Sequence, residues 1–527
     1  MQLKRPKRST FDLSYDLKLS LKMGKLTPIH VQECVPGDTF RMSSEAMFRM
    51  MPMIAPIMHK VDIFQHYFFV PNRILWPNWE TFITGGQPVD GSLPVPPAFP
   101  TLFGKDREYV FNASSLGDYL GLPIGVQLGQ PVSALPFAAY QKVWQEYYRD
   151  QNLQSQFVDI TLQDGQQDQI LQDELIKLRD RAWEHDYFTS CLPFAQKGEA
   201  VDIPFDLVGD LSVKARDSSD PDFGFPRLRD ASGTGLVGDV EGGVIPDGQL
   251  TVDSGTMSHA AYLDPNGSLY IDEDDVKAST TINDLRTAFS LQKWLEKNAR
   301  GGSRYVESIL AHFGIRSQDA RLQRPEYLGG SRSTMAISEV LQTAPPAGEE
   351  STPQANMAGH GISVNGGKDF KYTCKEHGYI IGVLSIRPKT AYFQGVPRHY
   401  NKFDRTLYYW PDFAFLGEQE VLNKELFYTD DPDYDNATFG YIPRYSEYRY
   451  NPSRVSGAMR TTLDHWHMGR KFDPLNPPTL SEEFIVCDPT KRIFAVEDDL
   501  EDEIVGHIFH KIIATRPMPK YGNPGGV

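Results

Sequence analysis

Apolar and polar positions alternate with a period of two over several stretches of the chain and with a helical period over a few others. In LTPIHVQECV (26–35), Ile29, Val31 and Val35 share one face, and Pro36-Gly37-Asp38 ends the run. TFRMSSEAMFRM (39–50) reads as a second strand. VDIFQHYFFV (61–70), aromatic and β-branched, reads as a third, stopped by Pro71-Asn72. EHGYIIGVLSIRP (376–388) has the unbroken apolar content of a buried strand, and DEIVGHIFHKIIATRPMP (502–519) supplies a last one. TLYYWPDF (406–413) and GYIPRYSEYRYNPSRVSG (440–457) read as aromatic, Pro-punctuated strand-and-turn segments. The helical period appears in 138–152 and in 281–300, where Ile282, Leu285, Ala288, Phe289, Leu295 and Ala299 form a broad face. It appears again after Gly301-Gly302. There Ser303 is an N-cap, Val306, Ile309, Leu310 and Phe313 make a stripe, and Gly314 is a left-handed C-cap. Residues 77–130 and 341–370 read as loop with short elements.

Strands spread over the whole length, separated by long excursions, suit a β-sandwich with elaborated loops better than βαβ repeats. Composition agrees: aromatic residues make up 12% of 527 residues, beside 38 Pro and 43 Gly. No apolar run approaches the roughly 18 residues of a membrane span. The basic N-terminus has no apolar segment behind it, so it does not read as a secretory signal. Cys34, Cys191, Cys374 and Cys487 form no CxxC pair and read as free thiols of a reducing compartment.

The net charge of −16 argues against nucleic-acid binding over a large surface, but the charge is unevenly placed. Residues 207–275 carry fourteen acids, four basic residues and ten glycines. This stretch reads as an inserted, solvent-facing module, although a disordered linker would share its composition. AAYLDPNGSLYID (260–272) within it reads as a hairpin about Asn266-Gly267. At the other extreme, Lys4, Arg5, Lys7 and Arg8 crowd the start of a polar arm, 1–20. On residues alone, phosphate contacts and a solubilising tail explain them equally well.

Catalytic and metal-binding patterns are weak. His465 and His467 form an HxH pair without a third ligand nearby, and a structural role fits better. His507 and His510, three apart on a strand, face opposite sides. Asp430, Asp431, Asp433 and Asp435 lack the Gly and closing Glu of an EF-hand loop, so they read as a solvated acidic loop, as does VEDDLEDE (496–503). GISVNGGKD (361–369) lacks the GK[ST] of a P-loop, because Asp369 follows Lys368, and Asn365-Gly366 reads as a hairpin turn. No GxSxG or HExxH occurs. No catalytic residue, metal ligand or cofactor is assigned. Tyr408, Tyr409, Trp410, Tyr445, Tyr448 and Tyr450 suit core and subunit-interface packing better than base stacking.

ARGGSRYVESILAHFGIRSQDARLQRPEYLGG (299–330) resembles a signature of the Gokushovirinae-type Microviridae major capsid proteins. The likeness continues, in the family's order, through KRSTFDLSYD (7–16), VPGDTF (35–40), HYFFVPNRILW (66–76), DYFTSCLPFAQKG (186–198), EHGYIIGVLSIRP (376–388), FLGEQEVLNKE (415–425) and FGYIPRYSEYRYNPSR (439–454). It covers most of the chain except 77–180 and 207–275.

The resemblance implies a non-enzymatic shell protein with a single viral jelly roll of eight antiparallel strands in two sheets, a β-sandwich or barrel with long loop insertions and a few helices. The roll would be formed by 21–206, with 77–180 as an insertion, and by 276–527. It implies a T=1 shell of about sixty copies closed by symmetry. It also implies a single-stranded DNA genome, a small basic DNA-packaging protein, pilot and scaffolding proteins, and a bacterial cell-surface receptor. No membrane insertion is implied. The virion would be the location, after assembly in the host cytoplasm. The resemblance turns Lys4, Arg5, Lys7 and Arg8 toward the genome. It makes 207–275 the candidate three-fold protrusion, with Phe223, Phe225, Leu236, Val237, Tyr262 and Tyr270 as candidate attachment residues. Composition alone also allows a β-sandwich carbohydrate-binding protein or glycosidase, or a phage adhesin.

Overall fold

The computed structural model describes residues 8–86, 95–201 apart from 104–108, 129, 156–158 and 200, the strands within 206–279, and 281–521 apart from 342–356, 367–369 and 496–501. The chain divides into two compact units. One comprises Met1–Lys197 and Glu296–Val527; the other is Gly198–Leu295.

The two large sheets of the first unit hold eleven strands: β1 Ser9–Asp12, β2 Tyr15–Leu21, β3 Thr27–Cys34, β4 Thr39–Met50, β5 Val61–Pro71, β6 Glu326–Thr334, β7 Ala336–Leu341, β8 Met357–Gly366, β9 Phe370–Thr373, β10 Gly378–Pro388 and β11 Ile504–Arg516. One antiparallel sheet runs β1-β11-β4-β8-β7, with β2 also on β11 and β9 also on β4. The other runs β6-β5-β10-β3, also antiparallel. Neither closes into a barrel.

Alternation decides what lies between the sheets. On β4, Phe40, Met42, Ala46, Phe48 and Met50 are buried, while Arg41, Glu45 and Arg49 are exposed. Ile504, Ile508 and Ile512 of β11 meet Ile63 and Phe69 of β5 and Ile380, Leu384 and Ile386 of β10 in one core. β5 and β10 are buried on both faces, which is why their sequences run apolar without alternation. Phe68, Val70, Ile381 and Val383 point away from that core. They join a second core with the helix α1, Leu135–Tyr147, and with Trp76, Phe103, Phe111 and Leu116 of the preceding loops. A third cluster, with Tyr187, Tyr392, Val421, Phe427, Ile442 and Phe484, surrounds the two-stranded sheet Glu418–Leu422 and Thr438–Pro443. All four cysteines are free and buried.

Several expectations need correction. The polar arm is short, because Ser9–Asp12 and Tyr15–Leu21 are strands. Phe11, Leu13, Leu17, Leu19 and Leu21 fall at alternate positions, and the four leucines pack on the first core. β1 and β2 hold one unbroken register along β11, Ser9 opposite Arg516 and Leu21 opposite Ile504. Asn365-Gly366 makes no hairpin. β8 and β9 follow one another along the same edge of β4, with one extra residue between Gly366 opposite Glu45 and Phe370 opposite Met42. TLYYWPDF forms no strand: Arg405–Leu407 and Pro411–Phe413 are single turns of 3-10 helix, the first capped by the Asp404 carboxylate, which accepts from the Thr406 N–H at 2.9 Å. Arg304, not Ser303, is the N-cap of α3, Tyr305–Phe313, where the Glu307 carboxylate accepts from the Arg304 N–H. α2, Ile282–Gly301, precedes it, and Gly314 takes the left-handed C-cap with φ 70°.

In the second unit, Ser258–Leu263 pairs with Leu228–Asp230 and Thr251–Asp253, whereas Leu269–Ile271 pairs with Val213–Ala215. The strands flanking Asn266-Gly267 therefore do not form a hairpin with each other.

Between the sheets of the first unit lies a small polar cluster. The Tyr15 hydroxyl sits 2.9 Å from His30 Nδ1, His510 Nε2–H donates to the Ile29 carbonyl at 2.9 Å, and the two imidazoles are 5.3 Å apart. Burial, and then the charge of His510, pushes His30 down to about 3; burial pushes His510 down to about 4. Both rings are neutral in the fold, while the unfolded chain takes up their protons below about pH 6.5. Stability of the dissociated subunit is therefore full above that pH and falls as pH drops toward 4, by on the order of 3 kcal/mol for each histidine. Urea unfolding at pH 7.5, 6 and 5 checks this: His510→Gln should flatten the decline, and an identical slope in the variant would contradict it.

Candidate interaction surfaces

The segment 397–416 turns sharply at Pro397 and Pro411 and passes through three single-turn 3-10 helices, so it offers no strand face for burial. Its large side chains point outward: Phe403 is 90% exposed and Phe415 96%, with Tyr400 and Leu416 also exposed. Its base is held firmly. The Trp410 indole N–H donates to the Arg405 carbonyl at 2.9 Å, and the Tyr445 hydroxyl donates to the Tyr408 carbonyl at 3.1 Å. Tyr409 packs edge-on against Tyr445 and Tyr448, 5.1 and 6.2 Å between centroids. The fold thus gathers five of the six aromatic residues singled out in sequence into one cluster. On α3 and just after it, Tyr305, Phe313 and Ile315 are exposed as well. Phe403, Phe415 and Leu416, exposed on one short loop, give the kind of apolar exposure that marks a surface meeting a partner.

Beside the cluster lies a cavity of about 650 Å³ whose wall includes Tyr392, Arg398, Lys402, Glu425, Glu447 and Tyr448. Both carboxylates are compensated. Arg398 pairs with Glu425 at 2.9 Å, and the Tyr187 hydroxyl donates to the same carboxylate at 3.0 Å. Lys402 pairs with Glu447 at 2.7 Å and lies 4.1 Å from the centroid of Tyr448. Burial raises the Glu425 carboxyl above its ordinary range despite Arg398. Burial also works on Glu447, yet hydrogen bonds from Lys402 and Gln419 hold it below its ordinary value.

Of the candidate nucleic-acid residues, Lys4, Arg5 and Lys7 lie outside the described residues; Arg8 is exposed at the entry to β1. Phe223 and Phe225 also lie outside them. Leu236–Val237 pairs with Leu228–Arg229, Tyr262 stands opposite Arg229, and Tyr270 stands opposite Lys214. Leu236 and Tyr262 thus stand on the two strands that flank Arg229, with Val237 next to Leu236 and Tyr270 in a separate pair.

Of the histidine pair, His467 is structural. His467 Nε2–H donates to the Met459 carbonyl at 2.8 Å, and its Nδ1 accepts from the Gly469 N–H at 2.9 Å, so neither nitrogen is left for a metal. His507 faces Asp16 at 2.9 Å while His510 is buried on the other side of β11. Asp431 and Asp435 are spent on backbone: Asp431 accepts from the Asp433 N–H, and buried Asp435 accepts from the Thr429 and Asp430 N–H groups. Glu503, placed in a solvated run from sequence, is buried and accepts from the Met23 N–H at 2.6 Å. Among the described residues no cluster of His, Cys, Asp and Glu is arranged to hold a metal.

Sequence reading missed a group of arginines, Arg181, Arg332 and Arg387, that surrounds the Phe64 ring at 4.3, 5.0 and 4.8 Å. They lie up to 206 residues apart in the chain, so no spacing signals them.

A family model described as "Capsid protein (F protein)" matches residues 1–526. Capsid protein VP1 of Chlamydia phage 1 is 36% identical, over 98% of this chain and 96% of that protein. Capsid protein VP1 of Bdellovibrio phage phiMH2K is 34% identical, over 98% and 95%. Capsid protein VP1 of Spiroplasma virus 4 is 32% identical, over 98% and 95%.

The cavity's ion pairs carry their own test. Arg398→Met leaves the Glu425 carboxylate buried without its counter-charge and should cost about 3 kcal/mol of subunit stability. Adding Glu425→Gln should recover most of the loss in urea unfolding; a single variant within about 0.5 kcal/mol of the parent would show the pair to be dispensable.

Proposed function

The chain belongs to the phage capsid protein (F protein) family, on its gokushovirus branch, and from that premise we propose how its surfaces serve a shell. It is a phage capsid protein and its place is the virion. About sixty copies close a T=1 shell around single-stranded DNA. The two-sheet sandwich is the jelly roll of the capsid wall. The protein is structural and performs no catalysis. Whole-length kinship to capsid proteins favours this over a glycosidase, a carbohydrate-binding protein or an adhesin.

The observation that carries the assembly reading is the exposure of Phe403 and Phe415 on a rigidly tied loop. Burying them against a neighbouring copy supplies apolar anchors of the kind that dominate interfaces. The basic N-terminal arm, with Lys4, Arg5, Lys7 and Arg8, faces the genome. A small basic packaging protein neutralises much of the rest of the DNA, a role that suits the acidic total of this chain. Pilot and scaffolding proteins complete assembly. The acidic stretch 207–275, with Phe223, Phe225, Leu236, Val237, Tyr262 and Tyr270, forms the outward protrusion that meets a bacterial receptor.

Light scattering and negative-stain microscopy of protein coexpressed with its phage partners test the assembly reading. The parent should form hollow particles of MDa mass, and Phe403→Asp with Phe415→Asp should leave folded subunits that no longer assemble. Particles formed equally well by the double variant would remove this loop from the interface. Deleting residues 2–8 should lower the salt at which particles release DNA without changing subunit melting; an unchanged release midpoint would rule out the arm.

A further inference from the structure

We infer that a cavity on the outer side of the β6-β5-β10-β3 sheet binds one nucleotide unit of single-stranded DNA, with Arg181 and Arg387 on the phosphate and Tyr327 on the base. The inference rests on the capsid reading, which makes this chain the container of such a genome.

The cavity measures about 660 Å³, and its wall includes His66, Tyr148, Arg181, Tyr327 and Arg387, with Glu184 as its one carboxylate, paired with Arg332 at 3.4 Å. Its charge is unusual. Three guanidiniums lie within 5.0 Å of the Phe64 centroid. Arg332 is neutralised by Asp62 and Glu184. Arg181 and Arg387 form no ion pair with a carboxylate among the described residues. Arg181 donates to the Ser385 hydroxyl, and Arg387 Nη1 donates to the Ala182 carbonyl at 2.6 Å. Arg387 is only 8% exposed, and its buried Nε–H has no partner among the described residues.

Holding two like charges together, largely out of water, is costly without a counter-ion. Burial and the neighbouring guanidiniums lower Arg387 to about 10, and burial with the charges of Arg181 and Arg387 lowers His66 to about 4. An anion in the cavity relieves that repulsion, and paired guanidiniums match the geometry of phosphate oxygens.

The rest of the wall selects the kind of anion. The Tyr327 ring is 48% exposed and stands edge-on to His66 at 5.8 Å. Tyr148 is fixed by its hydrogen bond with His66 Nδ1 at 2.7 Å. Flat aromatic faces beside a cationic centre are the elements by which single-stranded nucleic acid is held without regard to sequence. An acidic peptide from a neighbouring copy would use the arginines and leave the rings idle.

The test is fluorescence anisotropy of fluorescein-labelled (dT)10 with the full-length protein across a salt series, with particle formation scored in parallel. Tyr327→Ala, at a half-exposed position, should bind about tenfold more weakly. Arg181→Gln should reduce the slope of log affinity against log salt by about 0.7. If Arg181→Gln does not fold, Tyr327→Ala decides alone. Wild-type affinity in Tyr327→Ala overturns the inference; wild-type affinity with particle formation lost would give the cavity to a second copy of the chain. Parent protein that binds (dT)10 through these residues yet forms no particles even when coexpressed with its phage partners would leave the site standing and count against the assembly reading.

Discussion

β5 and β10 form the hydrogen-bonded pair on which the first unit depends. They run antiparallel in one constant register from Val61 opposite Pro388 to Pro71 opposite Gly378. One face supplies Ile63, Phe69, Ile380 and Ile386 to the core between the sheets; the other supplies Phe68, Val70, Ile381 and Val383 to the core under α1. A one-residue slip would exchange the two sets and spoil both cores at once. Gly382 shows how tightly the pair is enclosed: a Cβ there would come within 2.7 Å of the Tyr67 ring and 2.9 Å of His30. The wall of the capsid protein is stiff because this pair has no solvent side to yield toward.

That stiffness explains where interaction surfaces can occur. Segments with a regular period are consumed by the two cores, so partner contacts fall to chain that has none. The 397–416 loop is such a segment, pinned by Trp410 and Tyr445 while Phe403 and Phe415 stay outside. The arginine cavity is another product of the enclosed sheet. Phe64 and His66 lie on the same side of β5 as Phe68, beyond the reach of the α1 core, where Arg181 and Arg387 cover them instead. Charge is sorted along the sequence: acidity accumulates in 207–275, outside the segments that form the two large sheets.

Much of the sandwich was legible in the sequence because period two is a direct image of a half-buried strand. β4 was read to its exact limits from 39–50, and β5, β10 and β11 within a few residues. The misses have physical causes. β1 and β2 were masked by the charge of the preceding residues, although Phe11, Leu13, Leu17, Leu19 and Leu21 alternate throughout. Aromatic content suggested a strand at 406–413, but Pro411 has no N–H to give a ladder and Asp404 caps a helical turn instead. Asn365-Gly366 carries a hairpin signature, yet β4 offers a continuous edge that both flanking strands occupy. Capsid kinship was legible through residue identity across the chain. The uncompensated arginines were not, since only the fold brings residues 181 and 387 to one ring.

The most direct measurement of how this chain builds a shell is hydrogen–deuterium exchange on free subunits and on assembled particles. Amides of 397–416 lie on an exposed loop whose backbone hydrogen bonds are those of single 3-10 turns, whereas those of β5 and β10 are enclosed in either state. The expected result is strong protection of 397–416 on assembly with β5 and β10 unchanged. Equal exchange of 397–416 in both states would contradict the account, since the apolar loop would then remain uncovered in the shell.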